Sequence, residues 1–414
     1  MKQFFYGWWV LVGLFLMYAG SSIGVSTFPT LNAQLREIHG WTHAEVSAPP
    51  SYLYFFISAI AFLSGSLIDR FGPRFMIIVG SICNLASIVL YYFVDSTLML
   101  TVVYFVFSIG ITNTGVLSGM NIITRWFKKY KGMAAGILTT GSSLAGIIFP
   151  KLMNNMIAQY DLKTAILVLL GAGAVFIIIP LFLIKNNPNE IGQEIDGVAR
   201  QDSTNEKDNS VSAVANISLK EAFGTVQFYM ILFITGAMWL VINTLVQHLP
   251  FFLKDLKIGL TEAGTVQSIF FTCSLLGKFT FGWLSDKFGK KTIMILAGIN
   301  MCLGCALMLL AISNATLLYV AVLVYGIGFS GTFTMVQLLV AEYYTGMHYG
   351  KILGIVITVD NLAGALGIQL LGSWRTADGN YHFGFLFMLI LCIIATACTL
   401  LLKKPTSHKT VTLS

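Results

Sequence analysis

The 414-residue sequence is 56% hydrophobic and 10% charged, with a mean hydropathy of +0.79, whereas ordinary soluble domains carry about 25% charged residues. That balance excludes a soluble multidomain enzyme. The formal net charge of +7 invites a nucleic-acid reading, but in a chain this apolar the placement of the charges decides more than their sum.

Apolar runs of about 20 residues, each long enough to cross roughly 30 Å of hydrocarbon as a helix, recur along the whole chain. Twelve spans are predicted, at 8–31, 49–68, 75–93, 98–122, 132–157, 163–184, 228–253, 261–284, 292–312, 316–340, 351–374 and 382–402. The first opens "YGWWVLVGLFLMY" and has no small-residue cleavage site after a short apolar region, so it is expected to be retained. Between the sixth and seventh spans, residues 185–222 are rich in Asn, Asp, Glu and Ser with no aromatic residue, the composition of a solvated linker. The expected organisation is therefore a six-helix bundle over 1–184, a linker over 185–222 and a second six-helix bundle over 223–414, an all-α polytopic membrane fold.

With both termini on one side, eighteen basic residues face that side and six the other, while Lys278 lies inside a span. By the positive-inside rule the termini and linker are expected in the cytoplasm of a cell with this chain in its inner membrane. No nucleic-acid partner is then needed to account for the basic charge. The six cysteines all fall within spans. Cys302 and Cys305 form a C-x-x-C, but with no second pair or nearby histidine they read as small core residues.

The two halves repeat each other. "GSLIDRFGPR" at 65–74 matches "GWLSDKFGKK" at 282–291 at an offset of 217, and "KGMAAGILTTGSSLAG" at 131–146 matches "YGKILGIVITVDNLAG" at 349–364 in seven of sixteen positions at an offset of 218. Two matches at one spacing imply two bundles related by an axis along the membrane normal, with a ligand site near the midplane between them. Asp69 and Asp286, beside basic residues at helix ends, can bridge to neighbouring helix ends in one conformation and release them in another. Gly65, Gly72, Gly282 and Gly289 permit a tight turn there, and Arg70, Arg74, Lys287, Lys291 and Arg125 complete the expected gating set.

The doubled loop motif G-x-L-x-D-R/K-F-G-x-R/K resembles that of the major facilitator superfamily, and the resemblance covers the whole chain. "REIHGWTHAEVS", "TRWFKKYKGMAAGI" and "LVQHLPFFLKDLKIG" further resemble its monocarboxylate transporter and oxalate/formate antiporter branch. The resemblance implies a carrier of small carboxylates, often moved with a proton or exchanged for another anion.

Only two formally charged residues lie deep in spans, Lys278 in the eighth and Asp360 in the eleventh. A charge there costs roughly 2.5–3.5 kcal/mol on insertion scales, so it is expected to face a cavity or a partner. Lys278 is eight residues from Asp286 and Asp360 nine from Lys351, which puts both about 12–14 Å from the linker-side helix ends. An interaction between them is geometrically open. The repeat pairs Lys278 with Ala61 and Asp360 with Ser142, so the scaffold requires neither charge. In carriers of the resembled branch the position of Lys278 is commonly an arginine that holds the substrate carboxylate; lysine keeps the charge without the bidentate fork. Asp360 departs from that branch's usual pattern, and the lysine common in the first span of animal monocarboxylate carriers has no equivalent in "SIGVSTFPTLN". Two versions follow: Lys278 binds an anion while Asp360 exchanges a proton, or the pair binds a zwitterion, with Asp360 taking its amine.

Asn113, Asn243, Gln247, Tyr325 and Asn361 are candidate hydrogen-bond donors to the cargo, and His248 is a second candidate for proton relay. No Walker-type loop G-x-x-x-x-G-K-S/T occurs, since "CSLLGKF" lacks its first glycine and its final Ser or Thr, and no H-E-x-x-H occurs. Neither catalytic residues, metal ligands nor a cofactor are expected. The expected function is secondary active transport of a small organic anion, monocarboxylate-like and proton-coupled, by a monomer. An amino acid carrier and an anion exchanger are the alternatives, and a non-transporting receptor on the same scaffold is a different class.

Overall fold

The computed structural model describes residues 5–41, 43–197, 219–258, 260–312, 315–344 and 348–403. These form helices with no strand among them. In chain order they are α1 (Gly7–His39), α2 (His43–Phe71), α3 (Pro73–Tyr92), α4 (Thr97–Thr114), α5 (Val116–Trp126), α6 (Lys131–Gln159), α7 (Leu162–Leu183), the short α8 (Leu219–Phe223), α9 (Val226–Asp255), α10 (Leu260–Phe288), α11 (Lys290–Ala311), α12 (Leu318–Tyr343), α13 (Tyr349–Asp378) and α14 (His382–Leu401). Helices are what an apolar solvent demands, because each satisfies its own backbone polar groups. Large apolar side chains such as Phe182, Val226 and Leu401 point outward from the assembly, as a lipid-facing surface requires.

Several boundaries differ from expectation for identifiable reasons. The first helix runs on to His39 through Pro29 and stops only where Gly40 turns left-handed, at φ 66°. The fourth span breaks into α4 and α5 at Gly115, whose backbone leaves the helical region at φ −89°, ψ −145°. Eleven stretches are long and apolar enough to cross a membrane among the described residues. The twelfth expected span, α10, equals α2 and α6 in length at 29 residues, but Gln267 and Lys278 dilute it. It nevertheless packs among the others, against α6 and α12.

The turns at the two loop motifs are geometric copies. Gly72 precedes α3 at φ 85° and Gly289 precedes α11 at φ 84°, a left-handed conformation that favours glycine. Within the first half α1 packs on α6 and α7, and α3 on α4; within the second α9 packs on α13, and α11 on α12 and α14. Between the halves lie two principal seams, α2 against α13 and α6 against α10. The repeat exchanges one seam for the other.

The linker differs from a freely solvated chain over its first thirteen residues. Two short 3-10 turns, Pro188–Ile191 and Ile195–Gly197, fold onto the first half. The Asp196 carboxylate accepts from the backbone N–H groups of Lys128 and Lys129, and the Gln193 side chain accepts from that of Tyr6. Residues 198–218 of the linker lie outside the described residues.

Candidate functional site

Lys278 is 3% exposed and reaches out of its own half. From α10 its ammonium donates to Ser142 Oγ and Ser143 Oγ, each at 3.1 Å, and to the Thr139 carbonyl at 3.4 Å, all on α6. Those three acceptors use all three of its protons. The same Nζ sits 4.4 Å from the ring centre of Phe333 and 5.7 Å from that of Phe329, both on α12, which places a cation on an electron-rich face. The reach is possible because α6 carries Gly136 at the crossing: a Cβ there would lie 2.6 Å from the Lys278 carbonyl oxygen. Ser143 with Ser274 at 3.2 Å and Thr139 with Thr334 at 3.3 Å continue the polar seam. All of Lys278's oxygen partners are neutral.

Asp360 has the opposite surroundings. It is 1% exposed, and neither carboxylate oxygen makes a hydrogen bond, although Thr235 of α9 lies beside it. The interaction with Lys278 that depth allows is not made. Among the described residues the ion pairs within 4.0 Å are Lys290 with Asp286 and Arg375 with Asp255. The repeat explains the contrast. Ser142, the counterpart of Asp360, receives the Lys278 ammonium, whereas Ala61, the counterpart of Lys278, is a buried methyl group with nothing to donate.

The remaining predicted residues divide. Asn243 and Asn361 are turned along their own helices, donating to the carbonyls of Trp239 and Ile357, with Asn361 directly beside Asp360 and Asn243 against Gly364. Gln247 crosses between the halves and donates to the Tyr54 hydroxyl at 3.0 Å. Asn113 is buried in the first half against Gly80, donates to the Ile109 carbonyl, and leaves Oδ1 without a partner. Tyr325 and His248 are engaged with neighbouring helices. Tyr325 is fully buried and its hydroxyl donates to the Val241 carbonyl at 3.1 Å, so it ties α12 to α9. His248 bonds the Ile368 carbonyl at 3.0 Å and faces the Tyr381 hydroxyl at 3.4 Å; Ile368 is eight residues beyond Asp360, about 12 Å along α13. The histidine is thus held at the far ends of its helices rather than beside the buried acid.

Sequence reasoning missed Tyr18, which lies against Ser142, and Trp239. The Trp239 ring centre is 5.0 Å from that of Phe333 at an interplanar angle of 32°, and its buried indole N–H has no partner. The four-residue spacing of Thr235, Trp239, Asn243 and Gln247, one helical face of α9, is the signal that could have found Trp239.

At the linker side, each loop-motif aspartate caps a helix of the opposite half. The Asp286 carboxylate accepts from the N–H groups of Gly132 and Met133, at 2.7 and 2.8 Å, where α6 begins. The Asp69 carboxylate accepts from those of Gly350 and Lys351, at 2.9 and 3.0 Å, where α13 begins. A helix N-terminus presents unpaired N–H groups and partial positive charge, so both are charge-assisted contacts between halves. Glycines let the backbones meet: a Cβ on Gly65 would lie 2.4 Å from the Gly350 carbonyl oxygen, and one on Gly282 would lie 2.4 Å from that of Gly132. The basic members of the set act nearer home. Lys291 donates to the Leu400 and Leu402 carbonyls at the end of α14, Arg74 N–H donates to Asn186, Lys287 covers the Trp283 ring and Arg70 the Phe71 ring, while Arg125 lies in the field of Asp69 and Glu190.

Helices in two repeated sets, joined along two equivalent seams and enclosing buried charge, define a multi-pass membrane transport fold. The family model of the Major Facilitator Superfamily matches residues 10–260 and 249–413, and the chain belongs to that superfamily. It is 24% identical over 395 residues to the uncharacterized MFS-type transporter YcxA of Bacillus subtilis (strain 168), covering 94% of this chain and 92% of the relative. It is 23% identical over 362 residues to the riboflavin transporter MCH5 of Saccharomyces cerevisiae, covering 84% and 67%. Among solved structures it resembles the proton:xylose symporter XylE with a TM-score of 0.77 at 15% identity, covering 96% and 94%. The protein is a membrane transporter and not an enzyme.

Proposed function

We propose that the chain is a secondary transporter of a small organic anion of the monocarboxylate class, coupled to protons and working by alternating access around the Lys278 region. The observation that carries this reading is the company Lys278 keeps: a buried ammonium whose oxygen partners are all neutral. A cargo carboxylate supplies the missing counter-charge, adding an ion pair that the neutral hydroxyl and carbonyl acceptors of Lys278 do not provide. Because Lys278 already spans the α6–α10 seam, taking the anion and rearranging the halves become one event. The branch resemblance supports a carboxylate cargo.

Asp360 supplies the coupling. An ionised carboxylate without a charged partner is costly in an apolar interior, so it carries a proton while it is shut away from water and loses it when the halves rearrange and water reaches it. Asp69 and Asp286 hold the linker side closed in this conformation, and the basic excess on that side makes it the cytoplasmic face of the inner membrane. The monomer contains the whole site.

Proteoliposomes test the reading. A wild-type protein accumulates its carboxylate under an imposed proton gradient, while Asp360→Asn exchanges carboxylate across the membrane without gradient-driven accumulation. Undiminished accumulation in Asp360→Asn removes the coupling role. The partnerless Asp360 carboxylate also favours a second reading, a zwitterion carrier with the cargo ammonium on Asp360; uptake of an amino acid that its non-aminated analogue does not inhibit would select it.

A further inference from the structure

We infer that the cargo is an aromatic carboxylate, recognised by a flat surface built from Trp239 and Phe333 beside Lys278; the inference rests on the carboxylate reading above and narrows it. Three observations converge. First, Phe333 links the two groups: its ring centre is 4.4 Å from the Lys278 ammonium and 5.0 Å from that of Trp239, the two rings tilted by 32°. The cation and the indole therefore stand on one continuous aromatic surface, extended by Phe329 at 5.8 Å from Phe333. Second, Trp239 and Phe333 are only half-buried, whereas Phe329 behind them is buried. Both side chains therefore retain surface that a ligand can cover.

Third, the indole N–H of Trp239 is buried without an acceptor. A tryptophan used for packing finds a partner for that group when it is buried, so the unused donor marks a place where a ligand atom completes the site. Trp239 also lies one helical turn from Thr235, the residue beside Asp360. A ring on Trp239 thus lies between the cation that holds its carboxylate and the wall that carries the acid. An oxygen or nitrogen substituent on the ring accepts from the indole N–H.

The shape predicts a preference that charge alone does not. Aliphatic and aromatic acids of equal size satisfy Lys278 equally, but only a planar ring stacks on Trp239. Calorimetric titration of the full chain in nanodiscs with benzoate and with cyclohexanecarboxylate measures the difference. The expected result is benzoate binding about threefold to tenfold tighter, the range that aromatic pairing contributes, with the preference kept in Trp239→Phe and lost in Trp239→Leu. Equal affinities in the wild type overturn the inference, as does a preference that survives in Trp239→Leu. Should the leucine variant fail to fold, the wild-type ratio together with its retention in Trp239→Phe decides. Equal affinities that both vanish in Lys278→Ala leave the carboxylate reading standing while the inference falls; binding of neither acid by the wild type overturns both.

Discussion

The α6–α10 and α2–α13 seams are copies in backbone and opposites in chemistry. Each is drawn together at the linker side by an aspartate on the N-terminus of the facing helix, and each depends on glycines where the helices cross. Deeper in, they part. One seam holds Lys278 with three hydrogen bonds, backed by the Ser143 and Ser274 hydroxyls. On the other, Asp360 of α13 lies beside Thr235 of α9 within its own half, and the Thr358 hydroxyl donates to the Ser58 carbonyl across the seam. The device that closes the halves is built from backbone and tolerates duplication. The chemistry is built from side chains and differs between the copies.

That division can be broken at either level. The largest effect is expected at the glycine crossing: Gly136→Val puts carbon within 2.6 Å of the Lys278 carbonyl, so the α6–α10 seam cannot close and uptake into proteoliposomes falls to background while the protein still inserts. Uptake above half the wild-type rate would show that the seam closes in another way. Next come the caps. Asp69→Asn and Asp286→Asn each weaken two bonds between the halves, and contacts of this charged kind are worth about 1.5–3 kcal/mol, so each variant shifts the linker side toward opening by tenfold or more. Labelling of a cysteine placed beside Gly132 reads that shift; similar size in the two variants would mark the caps as equivalent, and an effect at one alone would break the symmetry. The smallest effects are expected at residues whose bonds stay within the second half. Tyr325→Phe and His248→Ala each remove bonds within the second half and lower stability by about 1 kcal/mol, read as a fall of a few degrees in melting temperature, with transport within twofold of wild type.

The difference between backbone and side-chain information also governs what was legible in the sequence. The helical membrane fold and the pairing of Lys278 with Ala61 and of Asp360 with Ser142 could all be read, because apolar runs and repeated motifs are local patterns. The depth argument put the two charges at one level, yet the contact it allowed between them is not made, since depth says nothing about which way a side chain leaves its helix. Lys278 turns to α6 because Gly136 lets that helix approach and two serines meet it there. Tyr325 and His248 drew interest as polar residues in apolar spans, but each bonds a backbone carbonyl of a neighbouring helix, which carries no residue signature. Trp239 escaped notice among seven tryptophans for the converse reason: its distinction is an unmade hydrogen bond, visible only once its neighbours are in place.

The most direct test of the account is equilibrium binding of the transported carboxylate to the purified protein, wild type against Lys278→Ala. Loss of a charged partner worth about 1.5–3 kcal/mol predicts a dissociation constant raised roughly tenfold to a hundredfold or more, with Lys278→Arg retaining binding. An unchanged dissociation constant in Lys278→Ala would contradict the assignment of this lysine as the charge that holds the cargo.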